Sequence, residues 1–201
     1  LNSIKNVKSQ LEAKKIKKIE FNSKDEKYIF TAKEIENRKI VGWFQGCMEW
    51  GPRSLGNRSI LASPSVQNIK DIINEKIKRR ESFRPFAPSI MAEHISSWFE
   101  NNHESIFMSF VSKVRENKKS IIPSVVHVDG TARLQTVTRE NNENFYNLIN
   151  EFYKLTNIPM ILNTSFNENE PIVMTPDEAI KCFLRTNMDL IVLEDVALIR
   201  S

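Results

Sequence analysis

The sequence predicts an α/β or α+β fold, in which helices flank a twisted mixed sheet. Short apolar runs typical of strands alternate with longer segments whose apolar residues recur at helical spacing. The chain has 201 residues, of which 40% are hydrophobic and 27% charged, as in an ordinary globular protein. We expect an N-terminal helix and linker over residues 1–24, followed by one domain over residues 25–201.

The N-terminal half is predicted to begin with a helix. Ile4, Val7 and Leu11 recur at helical spacing, which predicts an amphipathic helix over residues 3–15. The run KIVGWFQG predicts a buried strand over 39–46. The other elements predicted in this half are strands at 16–22, 58–63, 86–91 and 106–112, helices at 25–37 and 66–78, and a turn-rich loop that begins at residue 52.

The C-terminal half carries a clear helix-start signal. Thr175 precedes Pro176 at the first helical position and Glu178 at the third, which is the pattern of a capping box. The other elements predicted here are strands at 132–138, 159–165, 190–195 and 196–200, and a helix at 143–156 with Phe145, Leu148, Ile149 and Phe152 facing inward.

The net charge of +4 is unevenly distributed along the chain. Residues 1–20 hold six lysines against two glutamates, and residues 53–84 hold eight basic side chains against three acidic ones. Residues 140–195 hold three basic side chains against ten acidic ones. A basic centre in a balanced chain favours a local anion site, whereas a nucleic-acid-binding protein is usually basic over a wide face.

Two other features of the composition bear on the cellular setting. No apolar stretch approaches the roughly 20 residues that a membrane-spanning helix needs. Cys47 and Cys182 lie far apart in the sequence and form no metal or redox motif. We therefore expect a cytoplasmic protein without a membrane partner.

The run KIKRRESFRPFAPS, residues 76–89, concentrates positive charge ahead of two prolines. Proline disfavours helix at the residue before it, so an extended chain is predicted. In that case Lys78, Arg80, Ser82 and Arg84 share one face, which would attract phosphate or carboxylate. The alternative is a solvent-exposed helix end, where cationic side chains interact favourably with the negative end of the helix dipole. That alternative accounts for Lys78 and Arg79 but not for Arg84.

The run MEWGPRSLGNRS, residues 48–59, contains two glycine turns around Arg53 and Arg58. Such turns expose backbone N–H groups, which can bind an anion together with the arginines. The structural alternative is that Glu49 pairs with one arginine and fixes the loop.

The run HVDGTARLQT, residues 127–136, places Thr131, Arg133 and Gln135 on one face of a predicted strand. Arg133 is the binding candidate because it is a fixed charge on a rigid element. We interpret His127 as structural, and the scattered histidines and cysteines do not predict a zinc site.

The run LNTSFNENEPIV, residues 162–173, follows a predicted buried strand. Its Asn163, Ser165 and Asn167 recur at period two, and such polar groups at the end of a strand bind ligand oxygens or a nucleotide. Asparagine and serine are also common turn formers, so their link to the basic runs is what favours a binding site.

Several familiar nucleotide and catalytic motifs do not occur. The sequence has no G-x-x-x-x-G-K-S/T, no G-x-G-x-x-G and no G-x-S-x-G, which excludes a P-loop, a common dinucleotide fingerprint and a nucleophile elbow.

These four runs lie within longer segments, which are, in chain order, GWFQGCMEWGPRSLGNRSIL, INEKIKRRESFRPFAPSI, HVDGTARLQTV and LNTSFNENEPIV. Together these segments closely resemble the C-terminal domain of NodU/CmcH-type carbamoyltransferases, over roughly residues 38–200. The resemblance implies a YrdC-like fold with a concave basic cleft. It also implies an N-terminal actin/hexokinase-like domain of the same polypeptide, which transfers the carbamoyl group to a hydroxyl acceptor. Cys47 departs from the arginine that we expect the family to have there, which removes one candidate cation.

The resemblance further implies a reaction of carbamoyl phosphate with ATP, accompanied by Mg²⁺ without identified ligands, to give carbamoyladenylate. Lys78 and Arg80 match the K-x-R pair of YrdC-like proteins and would neutralise phosphate as catalytic residues. Ser165 and Asn167 match the S-x-N pair and would hold nucleotide or carbamate oxygens. The other residues expected to bind substrate or nucleotide are Arg53, Arg58, Arg84, Arg133 and Asn163.

Two alternatives come from other functional classes. YrdC-like folds are also associated with RNA, so the chain could be an RNA- or nucleotide-binding module without transfer activity. The aromatic residues do not interleave with the basic run as stacking platforms would, which argues against nucleic acid. A catalytically silent docking module is the third hypothesis.

Overall fold

The computed structural model describes residues 12 and 14–200 of the chain. The helix predicted over residues 3–15 lies outside this described part, apart from its last residues. Among the described residues, no helix combines the length and the apolar character that crossing a membrane requires.

A large mixed sheet organises the described chain. The strands of the described residues are β1 (Ile16–Glu20), β2 (Val41–Phe44), β3 (Arg58–Ala62), β4 (Ala87–Met91), β5 (Ser112–Lys113), β6 (Thr131–Ala132), β7 (Gln135–Val137), β8 (Met160–Ser165), β9 (Leu190–Leu193) and β10 (Val196–Arg200). Eight of them form one sheet in the order β1-β10-β9-β2-β3-β8-β4-β7, while β5 and β6 form a separate small sheet. In the large sheet the β2/β9 and β4/β7 pairs are parallel, and the other neighbours are antiparallel.

Helices pack on this sheet and confirm the predicted mixed α/β class. The α-helices of the described residues are α1 (Lys24–Glu36), α2 (Ile69–Ile73), α3 (Ile95–Trp98), α4 (Glu116–Lys119), α5 (Glu143–Thr156) and α6 (Pro176–Arg185), with a π-helical turn at Asn74–Lys78 and short 3₁₀ turns at Ala92–His94 and Pro123–Val125. Helices α1 and α5 pack against each other, and α6 packs against β2 and β9. Burying apolar faces on both kinds of element produces one continuous core.

Two local signals in the sequence are confirmed in detail. The inward face of α5 is buried as predicted, from Phe145 to Phe152. At the start of α6, the Thr175 side chain accepts from the Glu178 backbone N–H, and the Glu178 carboxylate accepts from the Thr175 N–H. This reciprocal pair satisfies N–H groups that a helix start leaves without partners.

The strand predicted over 106–112 is wrong, since only Ser112 of that run joins a strand. Ser105 instead organises a turn, because its Oγ accepts from the backbone N–H groups of Ser109 and Phe110. The strand predicted over 132–138 is interrupted at Arg133 and Leu134, between β6 and β7. Both strands were predicted from the hydrophobicity of the runs, and hydrophobicity does not indicate where the backbone turns.

Gly56 links the loop before β3 to α5. Its φ is +114°, and a Cβ built there would lie 2.2 Å from Cδ1 of the buried Phe145 ring. Gly51 in the same loop has φ +96° but nothing within 4 Å of such a Cβ. Of these two glycines, only Gly56 therefore combines backbone strain with close packing.

We predict that Gly56→Ala lowers the free energy of unfolding by about 3 kcal/mol or more, since strain and overpacking add. Gly51→Ala is the matched control and should cost about 1 kcal/mol, from strain alone. Urea unfolding of both variants measures the difference. Equal losses would show that the contact with Phe145 is unimportant.

Candidate active site

The four polar runs converge where β8 ends. In the sheet, Ser165 of β8 lies opposite Ser59 of β3, and Asn163 lies opposite Ala87 at the start of β4. A cavity of about 100 Å³ opens beside these strand ends. Its lining consists of Pro52, Arg53, Ser54, Arg80, Pro85, Phe86, Ala87, Met108, Arg133, Asn163, Thr164 and Ser165.

Three arginines from three separate runs line this cavity. Within the described chain, no carboxylate lies in ion-pairing distance of Arg53, Arg80 or Arg133. Burial lowers the pKa of Arg80 and Arg133, and neighbouring cations lower it further: Arg84 for Arg80, and Arg53 for Arg133. Both remain charged at neutral pH, because arginine titrates so far above it. The result is a concentration of positive charge with no carboxylate of the described chain in ion-pairing distance.

The cavity also has buried polar atoms that lack partners. Arg133 Nε is buried and donates to no described atom. The Asn163 side-chain nitrogen contacts Ser54 O, Ser89 Oγ and Gln135 Oε1 at 3.0–3.1 Å, whereas its Oδ1 accepts no hydrogen bond from the described residues. Since the Ser54 carbonyl can only accept, it fixes which way the Asn163 amide points. A donor and an acceptor therefore stand unpaired at one cavity.

Lys78 does not line the cavity but lies directly behind it. Its Nζ is buried and contacts Ser165 O, Ser165 Oγ, Asn167 O and Asn167 Oδ1 at 2.5–3.2 Å. Burial, and then the charge of Arg80, lower the pKa of Lys78 to about 7. Lys78, from the K-x-R pair, therefore contacts Ser165 and Asn167, which form the S-x-N pair. Its role in phosphate neutralisation stays a prediction.

The extended strand predicted from Lys78 to Arg84 is wrong. Helix α2 continues as a π-helical turn over Asn74–Lys78, and Arg79 then adopts a left-handed conformation with φ +46° and ψ +49°. The chain reverses there, so Lys78 and Arg80 point to different surroundings. Arg84 is exposed, pairs with Glu81 at 3.0 Å and is not part of the cavity lining.

Asn74 organises this turn, although it belongs to none of the four runs. Its Oδ1 accepts from Arg80 Nε at 2.7 Å, while its Nδ2 donates to the carbonyls of Ser82 and Arg84. Asn74 is fully buried beside Ile73 and Ile77, on the apolar side of the helical segment. In the sequence, the signal for this role was an asparagine among apolar positions of a predicted helix, because a buried polar side chain needs hydrogen-bond partners.

Arg58, a predicted binding residue, does not line the cavity. Its contacts are with the backbone and with an aromatic ring. It is buried, its guanidinium stacks 3.6 Å from the centre of the Phe44 ring, and it donates to three backbone carbonyls, those of Gln45, Gly46 and Asn57. Glu49 fixes the same loop by accepting from three backbone N–H groups, those of Leu55, Asn57 and Arg58. These N–H groups therefore already hold an anion from the chain itself.

The described residues include no group of three or more His, Cys, Asp or Glu side chains that could hold a metal ion. His127 contacts the Thr131 hydroxyl at 3.1 Å, which agrees with its interpretation as a structural residue. Neither Asn167 nor His127 lines the cavity.

Residues 32–200 match the model of the carbamoyltransferase C-terminus family. Nodulation protein NolO of Bradyrhizobium diazoefficiens is 50% identical over 159 residues, which are 77% of this chain and 29% of that protein. Nodulation protein NolNO of Sinorhizobium fredii is 49% identical over 162 residues, 79% of this chain and 24% of that protein. The chain thus spans less than a third of either relative.

Two solved structures have a similar fold at low identity. Full-length HypF, solved in a phosphate- and nucleotide-bound form, aligns with a TM-score of 0.54 and 17% identity, covering 92% of this chain and 22% of HypF. E. coli YciO aligns with a TM-score of 0.56 and 12% identity, covering 87% of this chain and 81% of YciO. At this identity the likeness concerns the fold alone, and it confirms the predicted YrdC-like architecture.

The burial of Lys78 predicts a pH dependence of stability. The folded protein loses the Lys78 proton near pH 7, whereas the unfolded chain keeps it to about 10.5. Unfolding therefore takes up a proton between these values, so the folded state gains stability as pH rises. We expect the unfolding free energy of the wild type, relative to Lys78→Met, to increase from pH 7 to pH 10 in denaturant titrations. A constant difference would contradict the lowered pKa.

Proposed function

Because this chain belongs to the carbamoyltransferase C-terminus family, we propose that it activates carbamoyl phosphate with ATP to form carbamoyladenylate. The observation that carries this proposal is the cavity in which Arg53, Arg80 and Arg133 meet without a carboxylate. Uncompensated guanidiniums favour phosphate, with which they form short, charge-assisted hydrogen bonds. The acyl phosphate and the triphosphate are both anions of this kind.

The proposed reaction has two stages. Water first releases inorganic phosphate from carbamoyl phosphate and leaves carbamate. A carbamate oxygen then attacks the α-phosphorus of ATP, and the bond to the bridging oxygen breaks with release of pyrophosphate. Negative charge increases on the α-phosphate oxygens during the attack. The three arginines are fixed before the reaction and would stabilise that charge without reorganisation.

The unpaired atoms of the cavity fit the carbamoyl group. Its NH₂ is a donor that an acetyl or phosphoryl group lacks, and the orphan Asn163 Oδ1 is a matching acceptor. The orphan Arg133 Nε would donate to a carbamoyl or phosphate oxygen. A volume of about 100 Å³ suits a small acyl phosphate, whereas sites for larger ligands are about 300 Å³ or more. The nucleoside would therefore extend out of the cavity.

Magnesium is expected to accompany ATP, but the residues of the cavity do not suit it as ligands. No carboxylate lines the cavity, and Mg²⁺ prefers carboxylate and phosphate oxygens. We therefore assign no step to the metal. The arginines supply the positive charge that the proposal requires.

We also propose that the cavity faces a transfer domain in the rest of the polypeptide, which hands the carbamoyl group to a hydroxyl acceptor. Trp50 is 98% exposed and Phe83 is 77% exposed. Each lies two residues before a proline of the cavity lining, and so within roughly 7 Å of that lining along the chain. Exposed aromatic side chains around a polar opening are typical of a surface that a partner covers.

We predict that Arg80→Ala and Arg133→Lys lower carbamoyl-phosphate-dependent pyrophosphate release about 100-fold, the typical effect of losing one preorganised donor. Lysine at 133 keeps the charge but loses the planar fork of donors. Arg139→Ala is the control, because Arg139 is exposed and pairs with Glu143 on α5. It should remain within about twofold of wild type.

Assays use the full chain with ATP, carbamoyl phosphate and Mg²⁺, and follow pyrophosphate. Turnover equal to wild type in both cavity variants would remove these arginines from the mechanism. RNA binding by a wild type that releases no pyrophosphate would favour the nucleic-acid alternative.

A further inference from the structure

Next to the cavity, Glu168 holds two arginines from different elements. Its carboxylate is only 7% exposed. One oxygen lies 2.9 Å from Arg79 Nε, and the other lies 3.0 Å from Arg185 Nε at the end of α6. Arg185 also pairs with Glu170. A carboxylate this buried is stable only with such partners, so the two arginines and Glu168 depend on one another.

Arg79 is the residue at which the chain reverses. Its left-handed backbone is one that residues other than glycine rarely adopt, so side-chain contacts have to hold it. The backbone N–H groups of Arg79 and Arg80 both donate to the Asn74 carbonyl and close the turn. The Arg79 side chain is largely exposed, and its ion pair with Glu168 holds it.

The turn is joined to the loop after β8 by two successive contacts. Lys78 contacts Asn167, and the next residue, Arg79, pairs with the next residue of that loop, Glu168. The following residue of the turn, Arg80, lines the cavity. Its position relative to the end of β8 therefore depends on these two contacts, in addition to its own hydrogen bond to Asn74 and its contact with the Phe86 ring.

We propose that Glu168 is a positioning residue, which clamps the Arg79 turn so that the Arg80 guanidinium stays in the lining of the cavity that it shares with Arg53 and Arg133. Three cations that line one small cavity repel one another. Without the clamp, only the Asn74 hydrogen bond and the Phe86 ring would hold Arg80 against this repulsion. This inference rests on the proposed function for its effect on carbamoyl phosphate. The restraint of the turn by Glu168 does not depend on the proposed function.

The sign of the effect separates positioning from simple electrostatics. Removing the negative charge of Glu168 makes the surroundings of the cavity more positive, which by itself would tighten anion binding. Release of the clamp weakens anion binding instead. We expect Glu168→Gln to raise the dissociation constant of carbamoyl phosphate about tenfold in calorimetry on the full chain, the effect of breaking one charge-assisted hydrogen bond.

The effect should also depend on Arg80. In an Arg80→Ala background, adding Glu168→Gln should change the dissociation constant by less than about twofold, because there is no guanidinium left to position. Glu151→Gln is the matched control, since it breaks a surface pair with Lys154 on α5. Its dissociation constant should equal that of wild type. Unchanged or tighter binding in Glu168→Gln, or a full effect without Arg80, would overturn the proposal.

Hydrogen exchange tests the clamp without any ligand. Glu168→Gln should speed exchange of the amides in residues 74–84 roughly tenfold while leaving the strands of the large sheet at wild-type rates. Unchanged exchange in that segment, or faster exchange throughout the chain, would overturn the clamp. If the wild type does not bind carbamoyl phosphate, the proposed function fails, and the exchange result still decides the role of Glu168.

Discussion

The contact of Lys78 Nζ with the end of β8 is the interaction on which the site depends. It joins the turn after α2 to Ser165 and Asn167, residues 87 and 89 positions further along the chain. The contact is costly, because a charge that is almost fully buried meets neutral oxygens and no carboxylate. Together with the Arg79–Glu168 pair, it joins the end of β8 to the turn that carries Arg80.

Charge pairing divides the arginines of the basic runs into two groups. Arg79 and Arg84 pair with carboxylates, and Arg58 has backbone carbonyls and an aromatic ring as partners. Arg80 and Arg133 have no ionic partner in the described chain and lie at the cavity. Counting positive residues in the sequence cannot separate these groups, because the partners come from distant segments.

Two carboxylates near the site restrain the backbone around it. Glu49 occupies the backbone N–H groups of the loop before β3, and Glu168 holds Arg79 and Arg185. Each fixes a segment that contributes an arginine to the cavity. The negative charges thus restrain the backbone, while the cavity itself keeps its positive charge for an anion.

The sequence by itself determined the mixed α/β class, most elements of the sheet and the capping box at Thr175, because these depend on periodicity and local hydrogen bonds. It also identified the four runs that converge. Only the tertiary structure decided that Arg79 reverses the chain, that Asn74 holds Arg80 and that Arg58 lies outside the cavity. These outcomes depend on partners far away in sequence, and a local pattern of residue types contains no information about such partners.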